Sequence, residues 1–87
     1  MIYDSFEKIY EEYFGKVYNY IFGRMLNREI SEDLTEDVFL KVLYNLDRYD
    51  PARGAKMSTW IFVIARNAVA DYRKKVYVNR EGISGAV

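Results

Sequence analysis

The feature that most confines this chain is a run of large apolar residues spaced for a single helical face: Phe6, Ile9, Tyr10, Tyr13, Phe14, Val17, Tyr20, Ile21 and Met25. Steps of three and four residues match the 3.6-residue turn of an α-helix, and a stripe this broad must be buried against other elements. The stripe predicts a helix over about 5–27, its aromatic rings supplying most of a core. Asp4 is placed to cap its first amides, with Glu7 reaching back three positions on. Gly15 and Gly23 lie off the stripe, where each costs roughly 1 kcal/mol of helix propensity that a long packed helix absorbs.

Two further segments share that period. Ser31 as N-cap, followed by Glu32 and Asp33 at the positive end of the dipole, predicts a second helix over 31–46, with Leu34, Val38, Phe39, Val42, Leu43 and Leu46 inward. Pro51 and Gly54 then forbid a continuous helix through Asp47–Met57. Ser58 or Thr59 is expected to cap a third helix over 58–75, with Ile61, Ile64, Ala65, Ala68 and Tyr72 on its buried stripe. A chain of 87 residues holds one small domain, which favours a few long helices over many strands. The fold class is therefore all-α, a three-helix antiparallel bundle over residues 1–76. The tail VYVNREGISGAV is too short to fold by itself, and 77–87 are expected to be a disordered tail or linker stump.

Composition removes several classes of function. With no Cys and no His, thiol nucleophiles, disulfides and the usual zinc ligands are excluded, which is compatible with the cytoplasm. No charged-then-apolar leader or apolar run of membrane-spanning length occurs, so no membrane role is expected. The scattered Asp/Glu pairs lack any metal-type spacing or general-base partner, and nothing implies a cofactor or an enzyme. The formal net charge of zero conceals a division: residues 1–50 carry 11 acids and 6 bases, and residues 51–87 carry 7 bases and 2 acids. An acidic half that avoids DNA and a basic half that seeks it suit an adaptor between DNA and a protein.

Each half presents one face of interest. On the third helix the outward arc holds Val63, Arg66, Asn67, Ala70, Arg73 and Lys74, with Trp60 at its edge. Arg and Lys neutralise phosphates, Asn hydrogen-bonds a base edge in two places, and an indole stacks on a base. The preceding loop adds Arg53 and Lys56, and its junction with Ser58 and Thr59 brings free amides and positive side chains together. The competing reading is a solvated charged face with Trp60 in the core. On the second helix the outward face carries Asp33, Glu36, Asp37, Leu40, Lys41 and Tyr44. Leu40 and Tyr44 stand where a solvated face would place Lys, Glu or Gln, so this face reads as a protein-docking surface with an apolar centre and a charged surround.

The segment SEDLTEDVFLKVLYNLDRYD, the loop PARGAKM and then STWIFVIARNAVADYRKK together resemble region 2 of bacterial RNA polymerase sigma factors, most closely the small extracytoplasmic-function type. The most specific parts are EDLTEDVFLKV, Thr59-Trp60, Ile64-Ala65-Arg66-Asn67 and Asp71-Tyr72-Arg73. They span about residues 31–75, and the aromatic first helix extends the likeness to about residue 6. The resemblance implies that the second helix docks on the coiled coil of the polymerase's largest subunit through Asp33, Glu36 and Asp37, with Leu40 and Tyr44 beside them. It implies that the loop and third helix take the non-template strand of the promoter minus-ten element. Asn67 occupies the position that reads a flipped base, and Lys56, Thr59 and Trp60 line or flank the melted strand. Arg66, Arg73 and Lys74 suit its phosphates. Melting of this kind needs no covalent chemistry, because capture of unstacked bases offsets the few kcal/mol of unpairing.

The chain departs from the family pattern in three places. It opens almost directly into the long first helix, without the short helix that commonly precedes it. Met57, Val63 and Ile64 stand where primary sigma factors place melting aromatics. No helix-turn-helix domain follows Lys75, so the chain is expected to be an excised domain or one half of a split sigma factor whose partner chain reads the upstream element. An interaction module that binds polymerase or an anti-sigma protein without touching DNA is the alternative, and a helical bundle with no nucleic-acid role is a third.

Overall fold

The computed structural model describes the backbone of residues 2–54 and 56–85 and the side chains of 5–54 and 56–77. Three helices, α1 (Ile2–Met25), α2 (Arg28–Asn45) and α3 (Met57–Gly85), are joined by a two-residue corner and by a loop that winds two short 3-10 turns, Leu46–Arg48 and Pro51–Arg53. No strand occurs among the described residues.

The packing partners set the topology. Tyr10 of α1 meets Phe39 of α2, whereas Tyr18 lies by Arg28, so the two helices run in opposite senses. Tyr20 meets Phe62 and Arg73 reaches Arg24, so α3 returns in the sense of α1. This is an up-down-up antiparallel bundle. Its core is formed by Val17 and Ile21 of α1, Leu34, Val38, Phe39 and Val42 of α2, and Ile61, Ala65, Ala68 and Val69 of α3. The aromatic stripe of α1 packs around that core more than within it: Phe6, Tyr10, Tyr13, Phe14 and Tyr20 are half-buried. Phe39 is the largest fully enclosed side chain, with the rings of Tyr10 and Phe14 at 5.1 and 5.8 Å.

Several boundaries differ from the sequence expectation, each for a local reason. Helix α1 already runs from Ile2, so Asp4 is inside it and is not its N-cap; the Asp4 side chain lies outside the described residues. Helix α2 begins at Arg28 rather than Ser31, because Asn27 is the cap and its Oδ1 accepts from the Ile30 amide at 2.9 Å. Ser31 is instead fully buried one turn in, its hydroxyl donating to the Asn27 carbonyl at 2.6 Å. Thr35, also buried, repeats the arrangement on the Ser31 carbonyl at 2.6 Å. Each hydroxyl finds its acceptor in its own helix, so α2 can present two small polar residues inward without an unmet donor. The corner before α2 is tight enough to put Leu26 at φ 52°, a left-handed conformation uncommon for a residue with a branched side chain. Leu43 and Leu46, expected inward, are half-buried, whereas Val69 joins the core unannounced.

Helix α3 begins at Met57, so neither Ser58 nor Thr59 is its cap; both sit in its first turn. The Trp60 amide is bonded to the Lys56 carbonyl at 3.0 Å, which makes Lys56 the half-in residue. The helix does not stop at 75: residues 77–85, expected to be a disordered tail, continue it to Gly85, and 86–87 lie outside the described residues.

Candidate nucleic-acid and protein-docking faces

The loop between α2 and α3 is built by turn chemistry. Asp50 caps the second 3-10 turn, its Oδ1 accepting from the Ala52 amide at 2.9 Å. Pro51 fixes the first φ of that turn, and Gly54 closes it at φ 94°, a conformation that a Cβ would strain. Arg53 and Lys56 are exposed on either side of this glycine. The amides of Met57, Ser58 and Thr59 open the helix, and the Lys56 side chain, a donor only, does not cap them.

Trp60 is half-buried against the core, and its ring stacks on Tyr49 with centroids 5.0 Å apart and planes 28° from parallel. The indole is therefore partly packed, and it joins the loop to α3. Trp60, Asn67 and Lys74 recur every seven residues, two turns apart, and so form a line along α3. Asn67, Lys74, Arg66, Thr59 and Val63 are exposed, Val63 at 39%. Arg73 is exposed too, but one guanidinium nitrogen, Nη2, donates to the Arg24 carbonyl at 3.2 Å. It thereby closes a free carbonyl at the C-terminal end of α1, where a cation also meets the negative end of that helix dipole. A residue expected only to hold phosphate thus has a structural partner as well.

A second grouping was not foreseen. Ser58, Thr59, Val63 and Arg66 line one groove, of 540 Å³, together with Tyr20 of α1 and Phe62. Tyr20 and Phe62 pack edge to face at 5.5 Å. The Arg24 guanidinium lies 3.7 Å over the Tyr20 ring while its Nη1 donates to the Tyr20 carbonyl at 3.1 Å. The sequence signal for this was the i, i+4 spacing of Tyr20 and Arg24, which places a cation one turn above a ring.

On α2, Asp33, Glu36, Asp37, Leu40 and Tyr44 are all exposed, Leu40 at 48% and Tyr44 at 73%. Asp33, Leu40 and Tyr44 share the outermost line, with Glu36 and Asp37 to either side. Glu36 borders a groove toward α1 with Phe14, Tyr18, Arg28 and Glu32. Asp37 borders one toward α3 that Leu40, Tyr44, Asp71 and Tyr72 also line. In the first of these grooves Arg28 and Glu32 form an exposed ion pair at 3.0 Å, whose hydrogen bond and charge raise the Arg28 pKa. Among the described residues no group of three or more carboxylates suits a metal ion, and no helix is long and apolar enough to cross a membrane.

An acidic, apolar-centred α2 face set against a basic, aromatic α3 face is the arrangement that sequence comparison now identifies. The family model for sigma-70 region 2 matches residues 9–77, from α1 into α3. The chain belongs to this family. Two curated relatives place it with the extracytoplasmic-function (ECF) type. The ECF RNA polymerase sigma factor SigM of Bacillus subtilis (strain 168) is 30% identical over 71 residues, covering 82% of this chain and 42% of the relative. The ECF RNA polymerase sigma factor BldN of Streptomyces coelicolor is 34% identical over 82 residues, covering 94% of this chain and 31% of the relative. The chain spans less than half the length of these two sigma factors. No solved structure matches it.

Proposed function

We propose that this region 2 domain docks on core RNA polymerase through the outer face of α2 and captures the non-template strand of a promoter minus-ten element with the 47–57 loop and α3. On α2, the carboxylates of Asp33, Glu36 and Asp37 meet a basic helical surface, the coiled coil of the polymerase's largest subunit. Leu40 and Tyr44 provide its apolar centre. An exposed leucine and tyrosine adjoining three exposed carboxylates on one helix face fit the anatomy of a docking site, an apolar anchor with charged neighbours.

The observation that carries the DNA half is the line Trp60, Asn67, Lys74 on α3, flanked by Arg66. It presents in one row a ring for stacking, an amide for a base edge and cations for phosphate, the three contacts that an unpaired strand needs and a solvated face does not. Arg53 and Lys56 extend it onto the loop, and the first-turn amides of Met57, Ser58 and Thr59 give the backbone a second anion-binding element. Asn67 is assigned the base reading and Arg66, Arg73 and Lys74 the phosphates. Melting follows from capture: the domain holds bases once they leave the stack.

Fluorescent oligonucleotides carrying the minus-ten sequence, titrated with the domain, test this reading. Single strands should bind better than duplex of the same sequence, with strong salt dependence. Asn67→Ala should erase preference for one base at one position and leave overall affinity nearly unchanged. An Asn67→Ala protein that keeps the same preference removes the base-reading role from that residue.

A further inference from the structure

The α2/α3 groove, of 380 Å³, is lined by two carboxylates from different helices, Asp37 and Asp71. Its floor is apolar, with Leu34 and Ala68 both buried. Each aspartate is exposed and stands one turn before a lysine, Lys41 or Lys75, that lines the same groove. Neither aspartate closes an ion pair with its lysine or with any other of the described residues. In the α1/α2 groove, by contrast, Glu32 is already paired with Arg28 at 3.0 Å. Asp71 takes no part in the strand contacts proposed for α3 or in the outer face of α2, and local pairing along its helix does not explain it.

Resting on the reading of α2 as the polymerase-docking face, we propose that this face continues across the α2/α3 groove, where Asp37 and Asp71 together hold one arginine of the polymerase coiled coil. Asp71 is then a specificity-determining residue of docking, supplied by the helix that also binds the strand. The groove is continuous with the outer face of α2, since Asp37, Leu40 and Tyr44 belong to both. Two like charges on one groove repel each other in the free domain, and a cation between them removes that repulsion. Arginine suits the place better than lysine. Its planar fork reaches two carboxylates at once, and its face rests on a tyrosine ring, of which Tyr44 and Tyr72 line the groove. Asp71 also stands one turn beyond Asn67 and three residues before Lys74, so in the free chain its charge opposes a phosphate on the strand-binding row. The arginine neutralises that charge, so polymerase docking and strand capture strengthen each other through one carboxylate.

Two assays on the whole 87-residue chain test the assignment: titration with core RNA polymerase, and titration of the free chain with minus-ten single strands. Asp71→Asn, which keeps the shape and removes the charge, should weaken polymerase binding roughly tenfold. The same variant should bind single strands more tightly, by roughly two- to threefold. Asp37→Asn should also weaken polymerase binding, and the double variant should lose less than the product of the two, because both carboxylates hold the same arginine. Photoreactive p-benzoylphenylalanine placed at Leu40 or at Lys75 should give adducts with the coiled coil of the largest subunit from both positions. Adducts from position 40 alone, with Asp71→Asn binding polymerase like wild type, overturn the groove and leave the outer face of α2 standing. No polymerase binding by the unmodified chain overturns both. An Asp71→Asn protein weakened in both titrations has lost structure rather than a contact, and that result removes Asp71 from the docking surface.

Discussion

Gly15 and Gly23 are the two places where α1 carries a residue poorly suited to a helix interior, and both are exposed. A Cβ built on either one meets nothing within 4 Å, and neither has a positive φ, so alanine fits without displacing any neighbour. Each Gly→Ala change should therefore stabilise the domain by the propensity difference alone, about 0.5–1 kcal/mol. The two sites lie eight residues apart, about 12 Å along the helix, far enough for the effects to add. The double variant should gain about 1–2 kcal/mol, which in a domain of this size raises Tm by roughly 5–15 °C. Thermal unfolding followed by circular dichroism at 222 nm measures it, with the single variants giving the two halves. A double variant that melts at or below wild type refutes the reasoning: either α1 is interrupted at these glycines or something packs on them. Neither residue lies on a proposed interface, so strand binding should be unchanged in the same protein.

Reversing Glu36 and Asp37 to Lys should abolish capture of core polymerase in a pull-down while leaving the helical signal intact, since both side chains are exposed; undiminished capture would exclude the α2 face as the docking surface. Arg73 and Lys74 should separate in a paired test. Both alanine variants should weaken binding to all sequences and flatten the salt slope by about one unit. Arg73→Ala alone should also lower stability, by about 0.5–1.5 kcal/mol, because it leaves the Arg24 carbonyl without its 3.2 Å donor. Equal melting curves for the two variants would show that this bond contributes nothing.

What was legible in the sequence was whatever periodicity and turn chemistry determine. The stripes of α1 and α2, the interruption at Pro51 and Gly54 and the outward arc of α3 follow from residue type and spacing alone, and all are present. The caps were less legible because several residues compete for the role. Ser31 is a good N-cap in isolation, but Asn27 four residues earlier is as good, and choosing Asn27 lets α2 start at once after α1 with Ser31 and Thr35 buried. The end of α3 was misplaced for a related reason: Gly82 and Gly85 argue against helix locally, and continuation of the turn from a long packed helix outweighs them. Among the site residues, those on one helix face could be grouped from the sequence. The Tyr20–Phe62 and Tyr49–Trp60 contacts could not, because each brings in a partner from another element.

The Tyr49–Trp60 stack connects these observations. In sequence the two residues are separated by the whole turn, yet their rings lie 5.0 Å apart, so the loop is closed onto α3 by its own aromatic at one end and by the Asp50 cap and Gly54 at the other. In the proposed strand-binding role, a loop without such a contact would have to be ordered when DNA arrives, at a cost of roughly 1–2 kcal/mol for each backbone residue fixed. Closing the loop in the free protein moves that cost into folding, and offset stacks of this kind contribute about 0.5–1.5 kcal/mol beyond the area they bury. The half-buried indole therefore has two uses in one position: its inner side holds the loop in the shape that displays Arg53 and Lys56, and its outer side begins the row that continues to Asn67 and Lys74. The same economy governs Arg73, which bonds α1 with one nitrogen and keeps the rest of its guanidinium for the proposed phosphate contact. Side chains at the edges of the proposed binding surface thus also hold the bundle together.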